Sequence, residues 1–169
     1  MNGRLMKKNK KTELKLSAII KSARSILEKK TFTESARVIF DQCIELIGAV
    51  SGYVALLSDD GYENEVLFLE AGGLPCSVDP ELPMPIRGLR AIAYQTQQSV
   101  YDNDFMHSKW VKYLPEGHVG MKNVLFAPLN IKGKTVGIVG MANKPSDFTE
   151  DDAKIASVFG ELAAVALLN

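Results

Sequence analysis

Between Val124 and Met141 the chain places two apolar runs, Val124–Ile131 and Thr135–Met141, on either side of Lys132-Gly133. Two such runs parted by a glycine-containing dipeptide close an antiparallel hairpin. A second hairpin is predicted upstream, where Gly52–Leu57 and Glu65–Leu69 flank the turn residues Asp59-Asp60-Gly61. Two hairpins call for an antiparallel sheet, and a sheet needs at least one face covered.

Helices near the two ends of the chain are predicted to supply that cover. Leu16, Ile19, Ile20, Ala23, Ile26 and Leu27 recur at the spacing of one helix face. A second helix is predicted with Thr33 as its cap and Phe32 just before it, and with Ala36, Phe40, Cys43 and Ile47 on one face. Gly48 supplies its stop. The last helix is predicted to start at Thr149, with Glu150, Asp151 and Asp152 in a first turn that favours negative charge. Thr149 and Asp152 stand in the capping-box relation. Ile155, Phe159, Leu162 and Ala166 form its buried stripe, and Val158 and Val165 widen it, so cover on more than one side is expected.

At 169 residues, 46% apolar and 24% charged, the chain fits one globular domain. No apolar run reaches the ~20 residues of a membrane span. The basic start lacks the apolar stretch of a secretory signal. Cys43 and Cys76 are too few for a disulfide scaffold or a thiolate-only zinc site, so a cytoplasmic protein is expected. The net charge of zero hides an asymmetry. Residues 1–30 carry ten Lys/Arg against Glu13 and Glu28, and residues 31–169 carry ten against eighteen acidic groups. Without aromatics among the lysines to stack on bases, the first 30 residues read as a solvated basic linker and helix. They are not expected to bind nucleic acid or insert into a membrane. The domain proper is expected over 31–169.

Residues 71–86 are broken by Gly72, Gly73, Pro75, Pro80, Pro83 and Pro85. A short helix over Leu89–Tyr94 and a short strand over Ser99–Tyr101 follow, then a polar and aromatic stretch from Asp102 to Asn123. The expected fold class is therefore α+β: an antiparallel sheet with the terminal helices on one face and a roof of loops and a short helix on the other. Tyr53, Phe68, Phe126 and Ile138, or their neighbours, are the predicted roof-side residues of the sheet. A roof of this kind is a natural place for a small-molecule pocket. The candidate ligand-binding residues are Cys76, Arg87, Asp104, Trp110, His118 and Phe126. Each also has a structural reading. Cys76 is a small filler under the proline-rich loop and His118 a hydrogen-bonded loop residue. Trp110 and Tyr113 cover the core edge, and Arg87 and Arg90 pair with Asp102 or Asp104.

Phosphate-loop, dinucleotide, metalloprotease and nucleophile-elbow motifs are absent. Two histidines, His107 and His118, exclude a site of several imidazoles. Asp59-Asp60 and Asp151-Asp152 serve as turn and cap residues. No catalytic residue and no metal ligand is assigned.

The segment Val136–Lys144 followed by Phe148–Asp152 resembles the end of a GAF domain, whose signature is N-K-x-F-x-x-x-D-E. Asn143, Lys144, Phe148 and Asp152 match it, with a short spacer after the Lys, and Ala153 departs from it. The resemblance implies a structural role in which the Lys and the Asp tie the strand end to the last helix. The element order from Phe32 to Leu168 is similar to the same family. Leu82–Arg90, Val100–Phe105, Pro115–Val119 and Asn123–Leu129 resemble GAF modules of bacterial and archaeal sensor histidine kinases. This implies a sensory small-molecule-binding module of a signal-transduction protein, with no enzyme activity in this chain. The stripe Leu16, Ile19, Ala23, Ile26, apolar on one side only, predicts a homodimer through the terminal helices, and the resemblance implies a downstream effector such as a kinase core. Alternatives within the family are a free methionine sulfoxide reductase and a ligand-free dimerisation domain. Bilin attachment does not match, because Ser77 follows Cys76. The cofactor is open; haem on Cys76 or His118 is one candidate.

Overall fold

A computed structural model describes residues 2–169. The helices are α1 (Asn2–Glu28), α2 (Phe32–Ile47), α3 (Leu89–Thr96) and α4 (Glu150–Leu168). The strands are β1 (Ser51–Leu57), β2 (Asn64–Glu70), β3 (Val100–Asp102), β4 (Val124–Ile131) and β5 (Lys134–Ala142). They form one antiparallel sheet of order β2-β1-β5-β4-β3. The β4–β5 turn carries two positive-φ residues, Lys132 (48°) and Gly133 (76°), which suits the twist of a tight hairpin.

Alternation along the strands sorts the two faces. Val54, Leu125, Leu129, Val139 and Met141 point to α2 and α4, where they meet Ile39, Phe40, Cys43, Ile155 and Phe159. Gly160 lets α4 settle close on β4, since a Cβ there would lie 2.6 Å from the Pro128 carbonyl oxygen. The opposite face carries Tyr53, Ala55, Phe126 and Ile138, covered by Ala93 and Tyr94 of α3. Phe68, expected on the roof side, lies on the helix side. A register shift between Val54 and Ala55 sets Phe68 opposite Val54, and its ring meets Phe40 edge-on at 5.4 Å.

Three helix assignments are corrected. Thr31, not Thr33, caps α2, because Glu34 stands three residues after it and completes a capping box. On α1 the face that docks onto the body is Ala18, Ser22, Ser25 and Ile26, while Leu16, Ile20 and Leu27 point to solvent. Small residues allow α1 to lie close to α2, and Ser35 Oγ of α2 donates to the Ser25 carbonyl across the seam. Val158 and Val165 of α4, expected under cover, are also exposed. α1 and α4 run side by side in the same direction. Lys11 and Lys15 bind Asp151 at the start of α4 (both 2.9 Å), and Asn169 Nδ2 at its end donates to the Ile26 carbonyl (3.1 Å). Among the described residues no helix is long and apolar enough to cross a membrane.

Candidate functional site

The roof is stitched down at three places. Asn64 N–H donates to the Met84 carbonyl and Ile86 N–H to the Tyr62 carbonyl, fixing the proline-rich loop to the edge strand β2. Ser77 N–H and Oγ both donate to the Gly117 carbonyl at 3.3 Å, joining the two roof segments. Arg87 Nη2 donates to the Tyr113 carbonyl at 3.0 Å, and its guanidinium lies over the Tyr113 ring.

The six candidate ligand residues occupy the roof but form no single cluster. No hydrogen bond or ion pair joins any two of them among the described residues. Trp110 and Phe126 share one apolar cluster with Leu89, Phe105 and Val124. Arg87 is exposed and engaged with Tyr113. Asp104 binds His107 Nδ1 at 2.6 Å in full solvent, and this bond raises the imidazole above its ordinary value. His118 Nδ1 lies 2.8 Å from the Val119 carbonyl. Cys76 is exposed rather than a buried filler. Neither Arg87 nor Arg90 pairs with Asp102 or Asp104; each is held by the roof instead. Two hollows lie elsewhere. One is an open groove of about 200 Å³ between α1 and α4, and the other, of about 220 Å³, is beside Gln97 and Ser157. Neither is lined by Cys76 or His118. No group of three or more His, Cys, Asp or Glu is placed to hold a metal among the described residues.

Sequence reasoning missed the cluster beneath the roof. Arg90 Nη1 donates to Tyr53 Oη at 3.0 Å, and Tyr94 Oη donates to Asn64 Oδ1 at 2.6 Å. Burial pushes the Tyr94 phenol well above its ordinary value, the nearby Tyr53 adds to this, and Arg90 opposes it. These partners are 37 and 30 residues apart, so no local pattern announces them.

The signature residues form a joint at the start of α4. The Lys144 ammonium pairs with the Asp152 carboxylate, with side chains only 13% and 10% exposed. The same carboxylate accepts from Thr149 N–H (2.8 Å) and Oγ1 (3.0 Å), completing the capping box. Phe148 is buried beneath. Two asparagines outside the signature clamp this joint. Asn103 donates to the Phe148 carbonyl and accepts from Phe148 N–H (2.9 and 2.7 Å). Asn123 donates to the Lys144 and Ser146 carbonyls and accepts from Lys144 N–H (3.0, 2.9 and 2.9 Å). Asn103 and Asn123 bracket the second roof segment, so that segment and the joint share their anchors.

A family model described as a GAF domain matches residues 29–168. No curated protein matches the chain. Among solved structures, the chain is similar to the GAF domain of an Acinetobacter phosphoenolpyruvate-protein phosphotransferase. The identity is 18% and the TM-score 0.74, covering 90% of this chain and 92% of that one. It is also similar to the free methionine-R-sulfoxide reductase of Neisseria meningitidis, solved with its substrate. Here the identity is 13% and the TM-score 0.73, over 91% and 88% of the two chains. The GAF domain of a putative sensor histidine kinase from Pseudomonas syringae pv. tomato is a third, at 12% identity and TM-score 0.63, covering 98% and 92%. At these identities the structures speak to fold alone. The family match over most of the chain, on a sheet of the order described, makes this chain a member of the GAF domain family.

Proposed function

We propose that residues 31–169 are the sensory module of a cytoplasmic signal-transduction protein, with residues 1–30 as a basic linker and signalling helix. The GAF fold is a regulatory, small-molecule-binding sensory fold. In this reading a small molecule binds between the sheet and the roof, the chain pairs with a second copy through α1 and α4, and the output is a kinase core of the histidine kinase type. The observation that carries the reading is the shared anchoring of roof and output helix. Asn103 and Asn123 hold both the ends of the second roof segment and the loop that leads into α4. A ligand that prefers one roof arrangement thereby biases the arrangement of α4.

The thiols support binding over reductase chemistry. Cys43 is fully buried and burial raises its thiol far above the ordinary range, leaving Cys76 as the one exposed thiol among the described residues. The thiolate is the reactive form, so Cys43 is an unsuitable nucleophile. The test is mass spectrometry of the purified protein for retained metabolites, followed by a melting-temperature screen of the compounds found. A compound that raises the melting temperature and protects the 103–123 backbone from hydrogen exchange supports the reading. Turnover of free methionine sulfoxide overturns it.

A further inference from the structure

Beneath the roof lies a charge that the protein does not balance. A guanidinium has five N–H bonds to give. Arg90 gives one to Tyr53 Oη and one to the Pro85 carbonyl. Its Nε–H is sealed from solvent with no acceptor. Among the described residues no Asp or Glu pairs with it, whereas Arg37 pairs with both Asp41 and Glu70. A sheltered cation without a counter-charge is unfavourable, because desolvation is not repaid. The Nε–H edge of a guanidinium, left here without a partner, is also an edge that takes a carboxylate or phosphate oxygen.

The surroundings favour the same occupant. Tyr53 accepts from Arg90, and among the described residues its own O–H has no acceptor, so it is free to donate. Arg90 lies in the first turn of α3, where the Gly88 cap offers no side-chain bond and no acidic residue follows. The positive end of that helix is left uncompensated. Tyr94, kept neutral by burial, adds no competing negative charge. Arg87, the arginine that the sequence favoured, is exposed and occupied by Tyr113.

We propose that Arg90, with the Tyr53 hydroxyl and the start of α3, is the receptor for a small anionic ligand that presents a carboxylate or a phosphate to the underside of the roof. This rests on the sensory reading above and names the class of molecule sensed.

The test is calorimetric titration and thermal melting of the full chain with inorganic phosphate and, separately, with succinate, at matched ionic strength. One of the two anions should bind saturably and raise the melting temperature. A response to phosphate alone assigns a phosphate ligand; a response to succinate alone assigns a carboxylate. Arg90→Gln should weaken binding by at least about tenfold, as expected for loss of a charge-assisted pair. Tyr53→Phe, which keeps the ring in the core, should weaken binding while still folding, and covers the case in which Arg90→Gln does not fold. Lys154→Gln, an exposed change on α4, should leave binding intact. Equal responses in wild type and both site variants, or no response to either anion, overturn the proposal. An uncharged metabolite that stabilises wild type and Arg90→Gln alike overturns the anion assignment and leaves the sensory reading standing. Failure of every ligand, charged or neutral, removes both.

Discussion

Asn123 is fully buried and uses both ends of its amide, taking Lys144 N–H and giving to two carbonyls. Its truncation removes the partner of three part-buried backbone groups at Lys144 and Ser146, and a fully buried group left unpartnered costs roughly 1–3 kcal/mol. Asn123→Ala is therefore expected to lose about 2–4 kcal/mol of stability, measured by urea denaturation. The Lys144–Asp152 pair is nearly as sheltered. Lys144→Ala is expected to lose about 2 kcal/mol, because Asp152 keeps its Thr149 donors but loses its counter-charge. Anion binding should be unaffected; loss of binding without loss of stability would move Lys144 from the joint to the ligand site. By contrast Lys11→Ala, at an exposed pair, should cost less than about 1 kcal/mol.

Among the elements, α1 meets α4 through charge at one end and through the Asn169–Ile26 hydrogen bond at the other. Lys11 and Lys15 together depress the Asp151 carboxyl from 3.8 to about 2. A depressed folded value stabilises the clamp above pH 3.8 and releases it as pH falls through about 2. Asp151→Asn mimics that release at neutral pH. It should speed hydrogen exchange in the first half of α1 while leaving β4 and β5 protected. High salt should narrow the difference between variant and wild type, since exposed pairs are screened. Equal exchange in both proteins at low salt would show that the seam, not the charge, holds α1. The elements also show where the sequence was legible. Both hairpins, the Gly48 stop and the Thr149–Asp152 box follow from local residue chemistry and appear as expected. The Thr31–Glu34 box was equally local, and the spacing rule would have chosen it over Thr33. The docking face of α1 was not local. Helical period permits Leu16, Ile20 and Leu27 or Ala18, Ser22 and Ser25 to face inward, and only the narrow gap beside α2 selects the small set. The sub-roof cluster and the asparagine clamps join residues tens of positions apart, which no periodicity encodes.

The whole molecule leaves an unusual amount of its terminal helices dressed for contact. Leu16, Ile20 and Leu27 on α1, and Val158, Val165 and Leu168 on α4, stand in solvent although the two helices lie side by side. Leu16, Ile20, Ala23 and Leu27 step by four, three and four residues, the spacing of a coiled-coil seam. Large apolar side chains gathered on one element mark an association surface more often than a free one. The proposed dimer through these helices would cover that surface, and exposure selects the residue that tests it. Ile19 packs against its own core cluster, so Ile19→Asp would damage the fold as well as any partner contact. Ile20 is 52% exposed and carries no such double role. Light scattering at micromolar concentration should give the mass of two chains for wild type and of one chain for Ile20→Asp. Far-UV circular dichroism should be unchanged between them. Wild type at the mass of one chain would overturn the dimer, whereas an Ile20→Asp protein that remains paired would place the contact elsewhere and leave the outward stripe of α1 without a partner of its own kind.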